Sequence, residues 1–317
     1  MRKLCTAVAA GLAVFAAVPA SGTLFYDSFD TDTSASWTVN KGPNPANNYA
    51  TFAVNYAPYN IPSAPGSTGG TTSGLMLESN VAGGIFSGLS ASPTGLNITG
   101  DFIMTADVWL NFIGPGPAGG SGSTQLGGLG FGTAGTTAQW GGGTQDSTYM
   151  AVTTDGNSAS DYRLYSPGVG GTTSYASGNA VYAAPGGAIN ESNAYYTAAF
   201  PSVSLPGTQN GFGTQTGSTR AGSSGFKWRK WTVTRTGTVL TYWIDSLKIA
   251  TINHSSYTMG GSNLAISYFD SNSTSSIAGT PRLNFMLVDN IRVVPEPATF
   301  VAMGLGVVAL LRRKRRS

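Results

Sequence analysis

The amino-acid sequence predicts an all-β protein, an antiparallel sandwich with long Gly/Ser-rich loops, on three observations. Residues Asp101–Phe112 (DFIMTADVWLNF) alternate strictly. Phe102, Met104, Ala106, Val108, Leu110 and Phe112 take one face and Ile103, Thr105, Asp107, Trp109 and Asn111 the other, the period of a strand with one side in a core. Residues Phe226–Ile252 hold two β-branched, aromatic-rich runs that meet at Thr236-Gly237, where a hairpin turn is expected; Asp245-Ser246 marks a second turn and a third strand, Leu247–Ile252. The chain carries 44 glycines but only three glutamates, the reverse of the composition amphipathic helices draw on.

Further strands are expected at Leu24–Phe29, Leu75–Ser79, Leu129–Thr133, Thr148–Thr153, Tyr162–Tyr165 and Leu264–Phe269. In Arg282–Val294 the residues Leu283, Phe285, Leu287, Ile291 and Val293 share one parity and are expected on one face. Residues 62–74, 114–123 and 166–225 are rich in Gly, Ser, Thr, Asn and Pro. They hold too little apolar material for cores of their own and are expected as loops on a single domain, the longest being the 166–225 insertion.

The two ends read differently from the body. The start, MRKLCTAVAAGLAVFAAVPASG, has a basic opening, an apolar stretch and small residues before Ala20, the anatomy of a secretory signal peptide over residues 1–20. Its Cys5 is the one cysteine, so the exported chain is expected to have no disulfide and to rest on an ordinary core. Of 17 Lys and Arg, two lie in that segment and five in the tail Arg312–Arg316, which leaves the body ten basic residues against 14 acidic ones. A body of net charge −4 offers nothing to nucleic acid.

The opening LFYDSFD…W (Leu24–Trp37), the run W-x-V-x-R-x-G-x-x-L-x-Y-W-I-D (Trp231–Asp245) and the closing LVDNIRVV (Leu287–Val294) resemble the concanavalin A-like lectin/glucanase jelly roll, the laminin-G-type sandwich. That resemblance implies two antiparallel sheets, one of them curved, and a family that spans carbohydrate-binding modules, glycanases and structural domains, so fold does not settle function.

Enzymatic chemistry finds little footing. Glucanases of this fold set two carboxyls on one strand face in a Glu-x-Asp-x-(x)-Glu pattern; here Glu78, Glu191 and Glu296 each lack an aspartate two residues on. His254 is the sole histidine, no serine sits in G-x-S-x-G, and His/Cys metal sites fall by count. Calcium is the one metal that oxygen ligands could hold, with Asp155, Asn157 and Asp161 as candidates, although D-G-N is first of all a turn. For sugar, Trp109 lies on the parity away from the core beside Asp107 and Asn111, a stacking platform with hydrogen-bonding neighbours, and Tyr162-Arg163 could line a loop-borne site. For calcium, Asp289 and Asn290 point to opposite faces of a regular strand and cannot chelate as a pair without an irregularity such as a bulge.

The C-terminus, Pro295-Glu296-Pro297, the apolar run Ala298–Leu311 and the basic cluster Arg312, Arg313, Lys314, Arg315 and Arg316, resembles the PEP-CTERM sorting signal of Gram-negative bacteria. The 14-residue run reaches roughly 21 Å as a helix, short of the ~30 Å hydrocarbon core, so it suits a temporary membrane hold. The basic cluster resists translocation and keeps the body outside. The resemblance implies recognition by an exosortase, processing near the motif, and release to the surface or the extracellular polysaccharide matrix. The expectation is therefore a signal helix (1–20), a β-sandwich (21–294) and a sorting signal with a short transmembrane helix (295–317). The function expected is a non-enzymatic structural or adhesive module without a cofactor that binds glycans; the alternative is a polysaccharide hydrolase or lyase with a non-standard site.

Overall fold

The computed structural model describes residues 22–81, 86–113, 125–155, 158–169, 173–207, 209, 217–271 and 282–296. The expected signal helix, the apolar run 298–311 and the basic cluster lie outside these residues. Among the described residues no helix is long and apolar enough to cross a membrane.

Among the described residues, fourteen antiparallel strands form two sheets. They are β1 (Phe25–Asp27), β2 (Trp37–Lys41), β3 (Tyr49–Asn55), β4 (Ser73–Glu78), β5 (Ser87–Pro93), β6 (Phe102–Asn111), β7 (Gln125–Thr133), β8 (Thr148–Thr153), β9 (Tyr162–Tyr165), β10 (Arg229–Thr236), β11 (Val239–Ile244), β12 (Leu247–Asn253), β13 (Asn263–Asp270) and β14 (Phe285–Pro295). One sheet runs β12-β11-β10-β6-β14-β4-β3 with β1 also on β14; the other runs β2-β5-β13-β7-β8-β9. The all-β antiparallel sandwich expected from the sequence is the fold observed.

The main core lies between the sheets. β6 contributes Phe102, Met104, Ala106, Val108 and Leu110 to it, and β7 contributes Leu129 and Phe131. The turns fall where expected, with Gly237 at φ 58° and Asp245 at φ 53°. The 166–225 segment sends Tyr182, Ile189, Tyr196 and Phe200 into the same core.

Two parities depart from the sequence reading. Phe112 lies one residue past the end of β6 and stacks on Phe226 in a second cluster instead of joining Leu110. In β14 the apolar residues divide: Leu283 and the strand residues Phe285 and Leu287 join that second cluster, whereas Met286, Val288, Ile291 and Val293 enter the main core. The cause is a bulge. The register with β6 shifts between Asp289 and Arg292, and Asn290 adopts φ 51°, so one extra residue exchanges the faces of the strand.

The outer sides of both sheets are partly covered by the chain itself. On the six-stranded sheet, β7 shows Leu126, Gly128, Gly130 and Gly132 outward, and residues 134–147 lie across neighbouring strands. Asn40 Nδ2 donates to Gly135 O (2.9 Å), the Gln139 N–H donates to Ser90 Oγ (3.0 Å), and Trp140 joins Leu126 and Phe269 in a third apolar cluster. On the eight-stranded sheet, the segment between β3 and β4 and the one before β10 cover Trp109 with Tyr56, Ile61, Phe226 and Trp228.

Candidate functional site

The cover on the eight-stranded sheet ends at residues 65–68, and a cleft opens there over β6. It has a volume of about 610 Å³ and is lined by Tyr26, Thr105, Asp107, Lys230, Asn290 and Arg292 together with the Pro65-Gly66 edge. The sheet register sets this composition. Lys230 pairs with Asp107 from β10, Arg292 pairs with Thr105 from β14, and Tyr26 of β1 pairs with Arg292. Directly paired residues share a face, so one aromatic ring, two cations and a carboxylate are presented side by side.

Asp107 sits at the floor. Its Oδ2 accepts the Gly66 N–H (2.8 Å) and Asn290 Nδ2 (3.2 Å). Only a glycine allows that approach, since a Cβ at residue 66 would stand 2.6 Å from Oδ2. The bulge aims Asn290 here. Its amide donates to Ser67 Oγ (3.2 Å) as well as to Asp107, and its Oδ1 accepts the Tyr26 hydroxyl (3.3 Å). Asp289, opposite Asp107 in the ladder, is fully buried beneath the cover, where its Oδ2 accepts Tyr56 OH and Ser67 Oγ, both at 3.0 Å. Burial pushes the Asp289 carboxyl up to about 7. A bulge thus stands at Asp289-Asn290, and Ser67 bridges the two side chains.

Tyr26 is 51% exposed and Arg292 is held by a bond from its Nη2 to Thr23 Oγ1 (3.0 Å). The ion pairs within 4.0 Å among the described residues are Arg229–Asp245 and Arg282–Glu78, so Lys230 and Arg292 make no direct ion pair there, although Asp107 stands across from Lys230 in the ladder.

The other expected sugar-binding residues do not reach this cleft. Trp109 does point away from the main core, but it is only 4% exposed. Its indole donates to Asn111 Oδ1 (3.1 Å) and its ring meets Trp228 edge-on at 5.9 Å. It is a core residue of the cover and offers no open ring face. Asn111 is fully buried, donating to Leu283 O (2.8 Å) and exchanging bonds with Gln209. Tyr162 and Arg163 divide between faces: Tyr162 stacks on Tyr196 in the main core at 4.0 Å, while Arg163 donates from Nε to Ser160 O (2.7 Å). They do not form one site.

Of the calcium candidates, Asp155 and Asp161 fall among the described residues. Asp161 is spent on protein donors, Thr153 Oγ1 (2.8 Å) and the Ser158 N–H (3.1 Å) at Oδ1 and the Glu191 N–H (2.9 Å) at Oδ2. Asp155 is buried, Asn157 lies outside the described residues, and no group of three His, Cys, Asp or Glu side chains is assembled among those described. Burial, with Asp161 beside it, drives the Glu191 carboxyl up to about 9 and keeps it protonated near neutrality. Glu78 is held in a two-pronged pair with Arg282, whose guanidinium lies 4.2 Å from the Tyr49 ring. The outward side of β7 carries no carboxylate.

Sequence reasoning named Asp107 but missed Tyr26, Lys230 and Arg292. The signal was available only as register: four strands far apart in the chain bring these residues together.

Comparison with known proteins adds the following. Residues 293–316 match the PEP-CTERM protein-sorting motif, which indicates a secreted, membrane-passing protein of Gram-negative bacteria and implies processing by an exosortase. No curated protein sequence matches the chain. Similar solved structures include a protein of unknown function with a galectin-like fold from Bacillus subtilis (9% identity, 87% of this chain and 99% of that one, TM-score 0.43). Others are the exoplasmic/lumenal domain of VIP36 in a Ca²⁺/mannose-bound form (10%, 82% and 83%, 0.42) and a glycoside hydrolase family 16 endo-glucanase from Bacteroides ovatus (13%, 86% and 100%, 0.38). Lectin-like and hydrolase-like sandwiches thus both stand among the similar folds, and the chain ends in a sequence matched to a PEP-CTERM sorting motif.

Proposed function

We propose that this is an exported glycan-binding module without catalytic activity. In this reading residues 1–20 direct export and the sandwich 21–294 is the working body. The signal 295–317, with Pro295-Glu296-Pro297 and Arg312–Arg316, holds the chain at the inner membrane until an exosortase releases it to the cell surface or the extracellular matrix. The observation that carries the binding reading is the cleft beside Asp107. An exposed tyrosine, a fixed carboxylate acceptor, an amide and two basic side chains converge there on space large enough for sugar rings. Retention of the intact protein in polysaccharide-containing gels tests it: Tyr26→Ala should abolish retention while leaving the unfolding midpoint near that of the parent, and Asp107→Ala should abolish retention and lower the midpoint, because Gly66 and Asn290 lose their acceptor. Retention unchanged by both substitutions rejects the cleft.

A second reading rests on one specific feature. Asp107 and Asp289 are cross-strand neighbours, and the Asp289 carboxyl is pushed up to about 7, in the range a general acid needs. Against it, Asp289 is sealed beneath Tyr56 and Ser67 and does not line the cleft, so only one carboxylate meets a ligand. Release of reducing ends from a polysaccharide, lost in Asp107→Asn, would favour the hydrolase.

A further inference from the structure

We propose that the cleft selects acidic saccharides, with Lys230 and Arg292 receiving a carboxylate on the sugar and Asp107 receiving a ring hydroxyl. This rests on the glycan-binding reading above and names the class of ligand.

The first support is charge placement. The body is net negative, with ten basic residues against 14 acidic, yet two of those ten flank a single cleft and neither makes a direct ion pair among the described residues. A neutral sugar gives no reason to concentrate unpaired cations in such a body; an anionic one does.

The second is spacing. Lys230 and Arg292 reach the cleft from β10 and β14, the two strands that sandwich β6, so their backbones stand roughly 10 Å apart across the sheet. That is the span of a short saccharide lying across the strands. Tyr26, one strand beyond Arg292 and paired with it, supplies a ring face beside the guanidinium, two residues along the sheet from the row that holds Lys230 and Asp107. Arg292 and Tyr26 are already tied down, to Thr23 and Asn290, which lowers the entropy lost when a ligand binds.

The third is the retained acid. A cleft for phosphodiester chains would not keep a carboxylate at its floor, whereas sugar recognition needs an acceptor for hydroxyl protons. Asp107 is bonded through Oδ2, and its Oδ1 takes no hydrogen bond from a described residue, which leaves an acceptor facing the cleft. Two donors for a carboxylate and one acceptor for a hydroxyl together describe a uronate-type residue.

The test measures binding of the intact protein to polygalacturonate and to the same polymer with its carboxylates reduced to alcohols. The acidic polymer should bind at least about tenfold more tightly, a difference of about 1.4 kcal/mol, and added salt should erode that advantage. Lys230→Gln with Arg292→Gln should remove the preference, bringing the acidic polymer down to the affinity of the reduced one; both residues are exposed, so an unchanged unfolding midpoint verifies folding. Equal binding of the two polymers, lost in Tyr26→Ala, overturns acid selection while the glycan reading stands. Binding of a sulfated polymer without polygalacturonate overturns the carboxylate assignment. Binding of no polymer at all rejects both.

Discussion

Asp107 on β6 and Asp289 on β14 stand directly opposite each other in the eight-stranded sheet, and the Ser67 segment separates their tasks. Asp107 is answered by Gly66 and Asn290 and faces the cleft; Asp289 is answered by Tyr56 and Ser67 and faces the cover. Like charges in register repel, and burial resolves the conflict by favouring a proton on Asp289 near neutral pH. A methyl group at Gly66 would push against Asp107 Oδ2. Gly66→Ala should therefore displace the cleft edge, weakening glycan binding about tenfold and costing roughly 1–3 kcal/mol as overpacking does. Titration calorimetry and urea unfolding check the two effects.

Two buried carboxyls predict an unusual pH dependence. Asp289 is raised from 3.8 to about 7 and Glu191 from 4.5 to about 9, both chiefly by burial. In each case the folded chain keeps a proton that the unfolded chain has released. Stability is therefore highest at low pH for these groups and falls as pH rises between the unfolded and folded values. Between pH 7 and 9 the decline belongs to Glu191, so Glu191→Gln should flatten it there, while Asp289→Asn should flatten only the part below 7. Unfolding midpoints at pH 5, 7 and 9 decide; a parent that gains stability over that range contradicts the assignment.

Trp109 and Tyr26 should separate folding from binding. Trp109→Ala removes the middle of the second apolar cluster and should cost about 3–5 kcal/mol, with binding lost only because the cover loosens. Tyr26→Ala removes an exposed ring and should change stability by no more than about 0.5 kcal/mol while abolishing binding. Chemical unfolding beside gel retention distinguishes them.

Alternation carried most of the strand assignments, and its failures have physical causes. β5, SGLSASP, sends only Leu89 and Ala91 to the main core, a weak period, and its other side is small because Phe269 and Trp140 close on Gly88 and leave no room for a side chain there. β3 is interrupted at Ala53, φ 53°, which breaks the count of two. The bulge at Asn290 does the same in β14. Trp109 illustrates a different limit. Its parity was legible, but whether the outer side of a strand meets water or another layer of chain depends on segments 50 to 120 residues away. The cleft was legible only in part for the same reason, since register between distant strands is not written in any one of them.

The C-terminal strand and the sorting motif overlap. Val293, Val294 and Pro295 pair with β6, the Glu296 N–H donates to Asp101 O (3.1 Å), and the Glu296 carboxylate accepts from Thr236 Oγ1 (3.0 Å). A chain ending at Glu296 should keep the parent's midpoint, whereas one ending at Asn290 loses Ile291 and Val293 from the core and should not fold. Mass spectrometry of the processed protein should accordingly find its terminus at or beyond Glu296.

That overlap also sets the length of the leash. One residue, Pro297, separates Glu296 from the apolar run beginning at Ala298, and a single residue spans at most about 3.5 Å. By length alone, an uncut chain held by that run would have no stalk to sway on. In the sorting reading proposed above, the rim formed by Asp101 and the Gly237 turn would rest on the bilayer like a foot, and cutting would take the body from standing contact to free diffusion in one step.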